Sequence, residues 1–211
     1  MLTFSFPKLQ PLEILCLGAH SDDIEIGCGG TILHLAEYYP LLRVTWVVFT
    51  GQDRRKQEAQ NSADDFLANV QEKNIYLESF RDGFLPYSGA VVKDYFEKLK
   101  QNHNPDVIFT HQRHDLHQDH RLLCDLTWNT WRNHLILEYE IPKYDGDLGS
   151  PNLFIPLTKQ TAEQKTGLLM KHFQTQANKD WFAEDTFKGL MRLRGMESKA
   201  TQHYAEAFYC R

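Results

Sequence analysis

Four of the chain's ten histidines, His111, His114, His117 and His120, fall within one short run, THQRHDLHQDHR, interleaved with Asp115 and Asp119. Imidazoles and carboxylates at that density are costly to hide in a core, so the run points to metal binding combined with acid/base chemistry. A second acidic cluster, GAHSDDIEIGCGG, occupies residues 18–30 and brings His20, Asp22 and Asp23. The two segments read as halves of one metal-dependent hydrolytic site.

Spacing assigns the parts. Adjacent side chains on a turning segment point in different directions, so Asp22 and Asp23 have different jobs, one ligating and one facing substrate. At the opening of a helix, His117 and His120 stand at i and i+3 and face a common cavity. A catalytic zinc typically takes three protein ligands and leaves one position for water; His20, Asp23 and His120 supply two imidazoles and one carboxylate. Such an ion draws the pKa of its water toward about 7, and Asp22 is the candidate base for the released proton. A protonated His117, held by Asp119, would stabilise an oxyanion and pass a proton to a leaving amine. His111 and His114 divide evenly between these surroundings and plain structural roles.

Residues a hundred positions apart share an ion only if the fold returns the chain to one edge. Short apolar β-rich runs alternate with amphipathic stretches: LEILCLGA, a helix at Thr31–Tyr39, RVTWVVFTG, a helix at Arg55–Gln71, NIYLESF, a helix at Ala90–Asn102, and PDVIFTH. This alternation predicts βαβ units in a three-layer α/β/α fold with a mostly parallel central sheet and right-handed crossovers. The strands at 13–19, 43–49 and 105–110 are almost continuously apolar, as central strands covered on both faces must be. Loops after parallel strands converge at the carboxyl edge, and both dense motifs begin there. Gly27, Gly29 and Gly30 read as a tight turn into the first helix, with Asp22 and Asp23 weighed also as helix caps. Beyond them come a helix at His117–His134, a strand LILEYEIP, a loop at 143–151, a strand NLFIPL, helices at 159–174 and 178–193, and a final strand YAEAFYCR.

Bulk properties narrow the class. A chain of 211 residues suits one domain over 1–211, and a net charge of −5 gives no footprint for polyanions, so nucleic acid is not an expected partner. The N-terminal MLTFSFPKLQPLEILCLGAH lacks a basic region followed by an apolar stretch and a cleavage site, and its apolar run is far short of the roughly 20 residues of a membrane span. The expectation is a cytoplasmic protein without membrane insertion; a homo-oligomer stays open. Cys16, Cys28, Cys124 and Cys210 show no C-x-x-C spacing and read as reduced packing thiols.

GAHSDDIEIGCGGTI resembles the signature of the LmbE / PIG-L family of zinc-dependent de-N-acetylases, and HQDH is similar to that family's H-P-D-H segment. The similarity extends to Arg55-x-x-Glu58, to Asp82 in RDGFLP, to His172-x-x-Thr175-Gln176 and to RGMESKATQHYAEAF. By this resemblance His20, Asp23 and His120 are zinc ligands, Asp22 the general base, and His117 with Asp119 the electrostatic catalyst and its orienting partner. Arg55 and Asp82 fall where members bind sugar hydroxyls. The resemblance implies a Rossmann-like domain, Zn2+ or another divalent metal such as Fe2+, and hydrolysis of the N-acetyl group of a small N-acetylglucosamine-containing compound. Two departures stand out: Ser21 replaces the usual proline, and Ile24 stands where some members have glutamate. The aglycone is not fixed, and the 143–151 loop with Lys143, Tyr144, Asp145 and Asp147, and the aromatic Tyr139, Trp181 and Phe182, are candidates for specificity.

Three rival readings fit parts of the motifs. His20-x-Asp22 with His120 matches the two-histidine, one-carboxylate triad of a non-haem iron oxygenase, but the strand–helix alternation disagrees with the β-barrel usual there. GCGG suggests a nucleotide-binding turn, without the G-x-G-x-x-G spacing. An inactive, sugar-binding homologue conflicts with the full set of catalytic residue types.

Overall fold

Alternate residues of the central strands feed two separate cores. The computed structural model describes residue 6 and residues 9–211. Its elements are β1 (Leu12–Gly18), α1 (Asp23–Tyr38), β2 (Leu42–Thr50), α2 (Asp53–Phe66), β3 (Glu72–Phe80), α3 (Gly89–Asn102), β4 (Val107–His111), α4 (Gln118–Thr130), β5 (Leu135–Tyr139), β6 (Leu153–Leu157), α5 (Lys159–His172), α6 (Glu184–Glu197) and β7 (Tyr204–Cys210). Ile14 and Cys16 of β1, with Trp46 and Phe109, pack under Ile24, Ile32, Phe66 and Leu169 of α1, α2 and α5. Leu15 and Leu17, with Val47, Phe49 and Ile108, pack under Val92, Phe96 and Leu123 of α3 and α4. Side chains alternate across a strand, so a sheet covered by helices on both sides needs apolar residues at every position, as the sequence reading required.

The sheet has seven strands in the order β3-β2-β1-β4-β5-β7-β6. β1 pairs in parallel with β2 and β4, β2 with β3, and β4 with β5, while β7 runs antiparallel to both β5 and β6. The order reverses at β1: α1 leaves toward one face and α4, after β4, covers the other. A crevice opens between the carboxyl ends of these neighbours, the place where open α/β sheets bind ligands.

The first helix corrects the sequence reading. It begins at Asp23, eight residues before the expected Thr31, and Gly27, Gly29 and Gly30 lie inside it rather than in a turn. Close packing explains them. A Cβ on Gly27 would stand 2.1 Å from the Tyr139 ring, one on Gly29 2.7 Å from Phe66, and one on Gly30 2.6 Å from Leu157. The same stretch receives a buried ion pair. Glu206 accepts the Gly30 and Thr31 N–H groups at 2.8 and 2.6 Å, and Lys165 Nζ donates to Glu206 Oε1 and to the Ile26 carbonyl, both at 2.6 Å. Ile26 is the acceptor that Gly30 uses in a regular helix, so the pair engages both ends of one rung of the ladder. Three further helices differ: α2 stops at Phe66 rather than Gln71, α4 spans Gln118–Thr130 rather than His117–His134, and the last helix spans Glu184–Glu197 rather than 178–193. In the last case the preceding residues form a short 3-10 turn, Gln174–Gln176, and a loop.

Candidate metal centre

The turn after β1 and the opening of α4 meet across the crevice. His20 Nδ1 lies 3.1 Å from His120 Nε2 and 3.2 Å from Asp23 Oδ2, and the last two atoms are 3.5 Å apart. All three residues are buried. Bonds of about 2.0–2.1 Å to a tetrahedral ion would put neighbouring ligand atoms about 3.3 Å apart, so this triangle has the span of one face of such a site. Its donor set, two imidazole nitrogens and a carboxylate oxygen, suits zinc or a neighbouring first-row divalent ion. The Asp23 carboxyl is held well below its usual range: burial opposes this, but His120, His20 and His111 outweigh it. Burial, with His111 beside it, brings the His120 ring down to about 3, leaving it neutral, the form that ligates.

Asp22 sits at the start of α1 without capping it. Its Oδ1 is 3.4 Å from Arg55 Nη2, and its buried Oδ2 has no hydrogen-bond partner among the described residues. Burial and then the Asp23 charge raise its pKa, with Arg55 and His20 pulling the other way. Arg55 also reaches Asp82 Oδ2 at 3.2 Å, and Asp82 Oδ1 lies 3.2 Å from His20 Nε2. Contact with His20 brings the Asp82 carboxyl down to about 2.

His117 and Asp119 depart from the expected pairing. The Asp119 carboxylate does not hold the His117 ring; it accepts the N–H groups of Gly83 and Leu85 at 2.8 and 3.1 Å and lies 3.4 Å from His20 Nε2. Instead, His117 caps α4, its Nδ1 accepting the Asp119 backbone N–H at 3.2 Å. An Nδ1 that accepts must leave the ring proton on Nε2, and burial, then the His20 charge, lower the His117 pKa. This contact leaves His117 Nε2 carrying an N–H that can donate. Asp119, for its part, ties the Asp82-bearing loop to the centre.

His111 and His114 separate. His114 is exposed. His111, at the end of β4, is buried and stacks on His120 with centroids 3.8 Å apart; its Nε2 accepts the Ala19 N–H at 3.0 Å and lies 3.2 Å from Asp23 Oδ2. With that lone pair engaged by the backbone, His111 packs beside His120 and Asp23 rather than offering Nε2 to an ion. Asp115, which the sequence reading left without a role, accepts or shares the proton of His120 Nδ1 at 2.9 Å.

A cavity of about 280 Å3 opens over these groups, lined by His20, Asp22, Asp23, Arg55, Asp82, His117 and His120 on one side. Lys143, Tyr144 and Asp145 of the 143–151 loop and Trp181 form part of its other wall, whereas Tyr139 and Phe182 are buried packing residues. Gln176, also on the wall, has no role in the sequence reading beyond its place in a motif. Thr175 donates its hydroxyl to Glu58 Oε2 at 2.5 Å, so its oxygen accepts from Gln176 Nε2 at 3.2 Å and fixes that amide's orientation. The i, i+3 spacing of Arg55 and Glu58 on α2 was the available signal: one turn of helix serves both walls.

Residues 15–131 match the family PIG-L, GlcNAc-PI de-N-acetylase. No curated protein matches the chain by sequence. Among solved structures, the N,N'-diacetylchitobiose deacetylase of Pyrococcus horikoshii is 22% identical, with a TM-score of 0.75 over 97% of this chain and 85% of that one. A zinc-inhibited form of the teicoplanin deacetylase Orf2 is 13% identical, with a TM-score of 0.73 over 94% of this chain and 97% of that one. The 4-carboxy-2-hydroxymuconate hydratase GalB of Pseudomonas putida KT2440 is 15% identical, with a TM-score of 0.70 over 94% of this chain and 95% of that one. At these identities the likeness establishes the α/β fold, which carries two different reactions among these neighbours.

Proposed function

The chain belongs to the PIG-L family of GlcNAc-PI de-N-acetylases, and from that premise we propose that it is a metal-dependent hydrolase removing the N-acetyl group from an N-acetylated amino sugar or its glycoconjugate. The observation that carries this reading is the triangle of His20 Nδ1, Asp23 Oδ2 and His120 Nε2 beside Asp22 Oδ2, which has no partner among the described residues. His20, Asp23 and His120 would hold the ion, Zn2+ by donor set, with Fe2+ as the alternative. When bound, the metal polarises the amide carbonyl and acidifies the attacking water.

The remaining steps belong to the side chains. Arg55 and Asp82, paired at 3.2 Å, offer donors and an acceptor to sugar hydroxyls and orient the ring over the centre. Asp22 takes the proton of the attacking water through Oδ2, its raised pKa making it a stronger base than an ordinary aspartate. His117 donates its Nε2–H to the carbonyl oxygen as charge grows there. As the C–N bond breaks, Asp22 returns the proton to the leaving nitrogen, and the products are acetate and the free amino sugar. A small hydroxylated molecule fits the cavity, and among the described residues no helix is long and apolar enough to cross a membrane.

The test is amine release from a panel of N-acetylated monosaccharides, disaccharides, nucleotide sugars and glycoconjugates by protein loaded with Zn2+ or Fe2+. Wild type releases amine from at least one class, and His120→Ala loses both the ion and the activity. A metal-loaded protein that releases none, yet hydrates 4-carboxy-2-hydroxymuconate, would replace the deacetylase reading with that of the GalB-like branch of the fold.

A further inference from the structure

Behind His120 runs a row of buried charges that the reaction above does not use. Asp115 is fully buried; its Oδ2 faces His120 Nδ1 at 2.9 Å and Lys143 Nζ at 3.1 Å, and its Oδ1 accepts the His117 backbone N–H at 2.7 Å. Lys143 Nζ also donates to Asp147 Oδ2, which accepts the Leu116 N–H at 2.7 Å. The side chains of Lys143 and Asp147 are only 9% and 4% exposed. A single ammonium thus serves two buried carboxylates, while nearby Arg121 is turned to the backbone carbonyls of Asp115 and Leu116.

We propose that Lys143 is a positioning residue for His120: by neutralising Asp115 and Asp147 together, it keeps the Asp115 carboxylate on His120 Nδ1 and so keeps Nε2 aimed at His20 and Asp23. The proposal rests on the reading that these three residues hold a divalent ion. Without the ammonium, two carboxylates would share one buried space and repel strongly. Asp115 Oδ2 is the atom that Lys143 and His120 have in common, so its displacement reaches the ligand directly. Carboxylates behind metal-bound histidines fix ring orientation, and losing them typically weakens metal binding about 10–100-fold. Lys143 begins the loop whose Tyr144 and Asp145 line the cavity, so the same contact joins the substrate wall to the metal-side imidazole.

The sign of the effect separates this idea from bare electrostatics. Removing a nearby positive charge should tighten cation binding; losing a positioning contact should weaken it. Wild type, Lys143→Met and Lys143→Met/Asp147→Asn, stripped by chelator dialysis, are titrated with Zn2+ against a chromophoric chelator, with near-UV circular dichroism reporting the fold. Lys143→Met should bind Zn2+ at least about 10-fold more weakly. The double variant, with the repulsion relieved, should return to within about threefold of wild type. It leaves one buried carboxylate fewer uncompensated, and it serves alone where the single variant does not fold. Unchanged or tighter binding by folded Lys143→Met, or a double variant as weak as the single, overturns the proposal while leaving a His120-dependent wild-type site intact. A wild type that binds no Zn2+ overturns the metal reading and this proposal together.

Discussion

Replacing Gly27 by alanine sets helix propensity against packing, and the structure says which wins. Position 27 lies inside α1, where alanine is better than glycine by about 1 kcal/mol on propensity alone. A Cβ there would stand 2.1 Å from Tyr139 Cδ2, 2.5 Å from Cγ and 2.8 Å from Cε2. Carbon atoms settle at about 3.5–4.0 Å, so ring and helix must part by roughly 1.5 Å. Neither has room. Tyr139 has no exposed surface, its hydroxyl donates to the Leu17 carbonyl at 2.6 Å, and its ring lies 4.8 Å from that of His111. Overpacking costs about 1–3 kcal/mol and this contact sits at the severe end; a strained or lost buried hydrogen bond adds about 1 kcal/mol. The net expectation is a loss of about 3 kcal/mol, or a melting temperature lower by roughly 6–12 °C for a chain of this size. Urea denaturation measures it, with Gly189→Ala as control: Gly189 is exposed on α6 with open space around its Cβ position, and alanine there should stabilise by up to about 1 kcal/mol. A Gly27→Ala protein whose midpoint equals or exceeds wild type would refute the packing argument.

Other perturbations address the chemistry and the buried charges. Asp22→Asn should keep the metal content by elemental analysis and lower kcat by roughly 10²–10⁴-fold, the usual range for losing a positioned base; near-normal turnover removes Asp22 from that role. The acid limb of kcat/KM should reflect protonation of Asp22, and because the Arg55 guanidinium lowers that pKa, Arg55→Met should move the limb to higher pH whatever it does to the plateau. A limb that stays in place, or moves to lower pH, dissociates Asp22 from the proton transfer. Lys165→Met strands the Glu206 carboxylate inside the protein and should cost about 3–5 kcal/mol in urea unfolding, with Glu206→Gln added on top recovering part of it. A loss below about 1 kcal/mol would mean that the pair contributes little beyond its two backbone contacts.

What the amino-acid sequence determined by itself was the architecture and the residue types of the centre. Continuous apolar runs between amphipathic stretches admit few solutions other than a parallel sheet covered on both faces, and the carboxyl edge of such a sheet gathers the segments that follow its strands. That His20, Asp23 and His120 come together was legible for that reason, each standing just past a central strand or at the next helix opening. Helix α1 was not legible, because three glycines in four positions carry the local signature of a turn; only the partners that press on them, Tyr139, Phe66 and Leu157, turn that signature into a packing requirement. Tertiary structure alone decided that Asp119 serves His20 and the Asp82 loop rather than the His117 ring, and that His111 lies in the centre while His114 is exposed. It also placed Asp115 behind His120 and gave Lys143, Glu58 and Gln176, known from the sequence only as loop or motif positions, their contacts. Spacing along a chain constrains which side chains share a face of one element, but a hydrogen-bond partner supplied by another element has no local signature, so these assignments waited for three-dimensional contact.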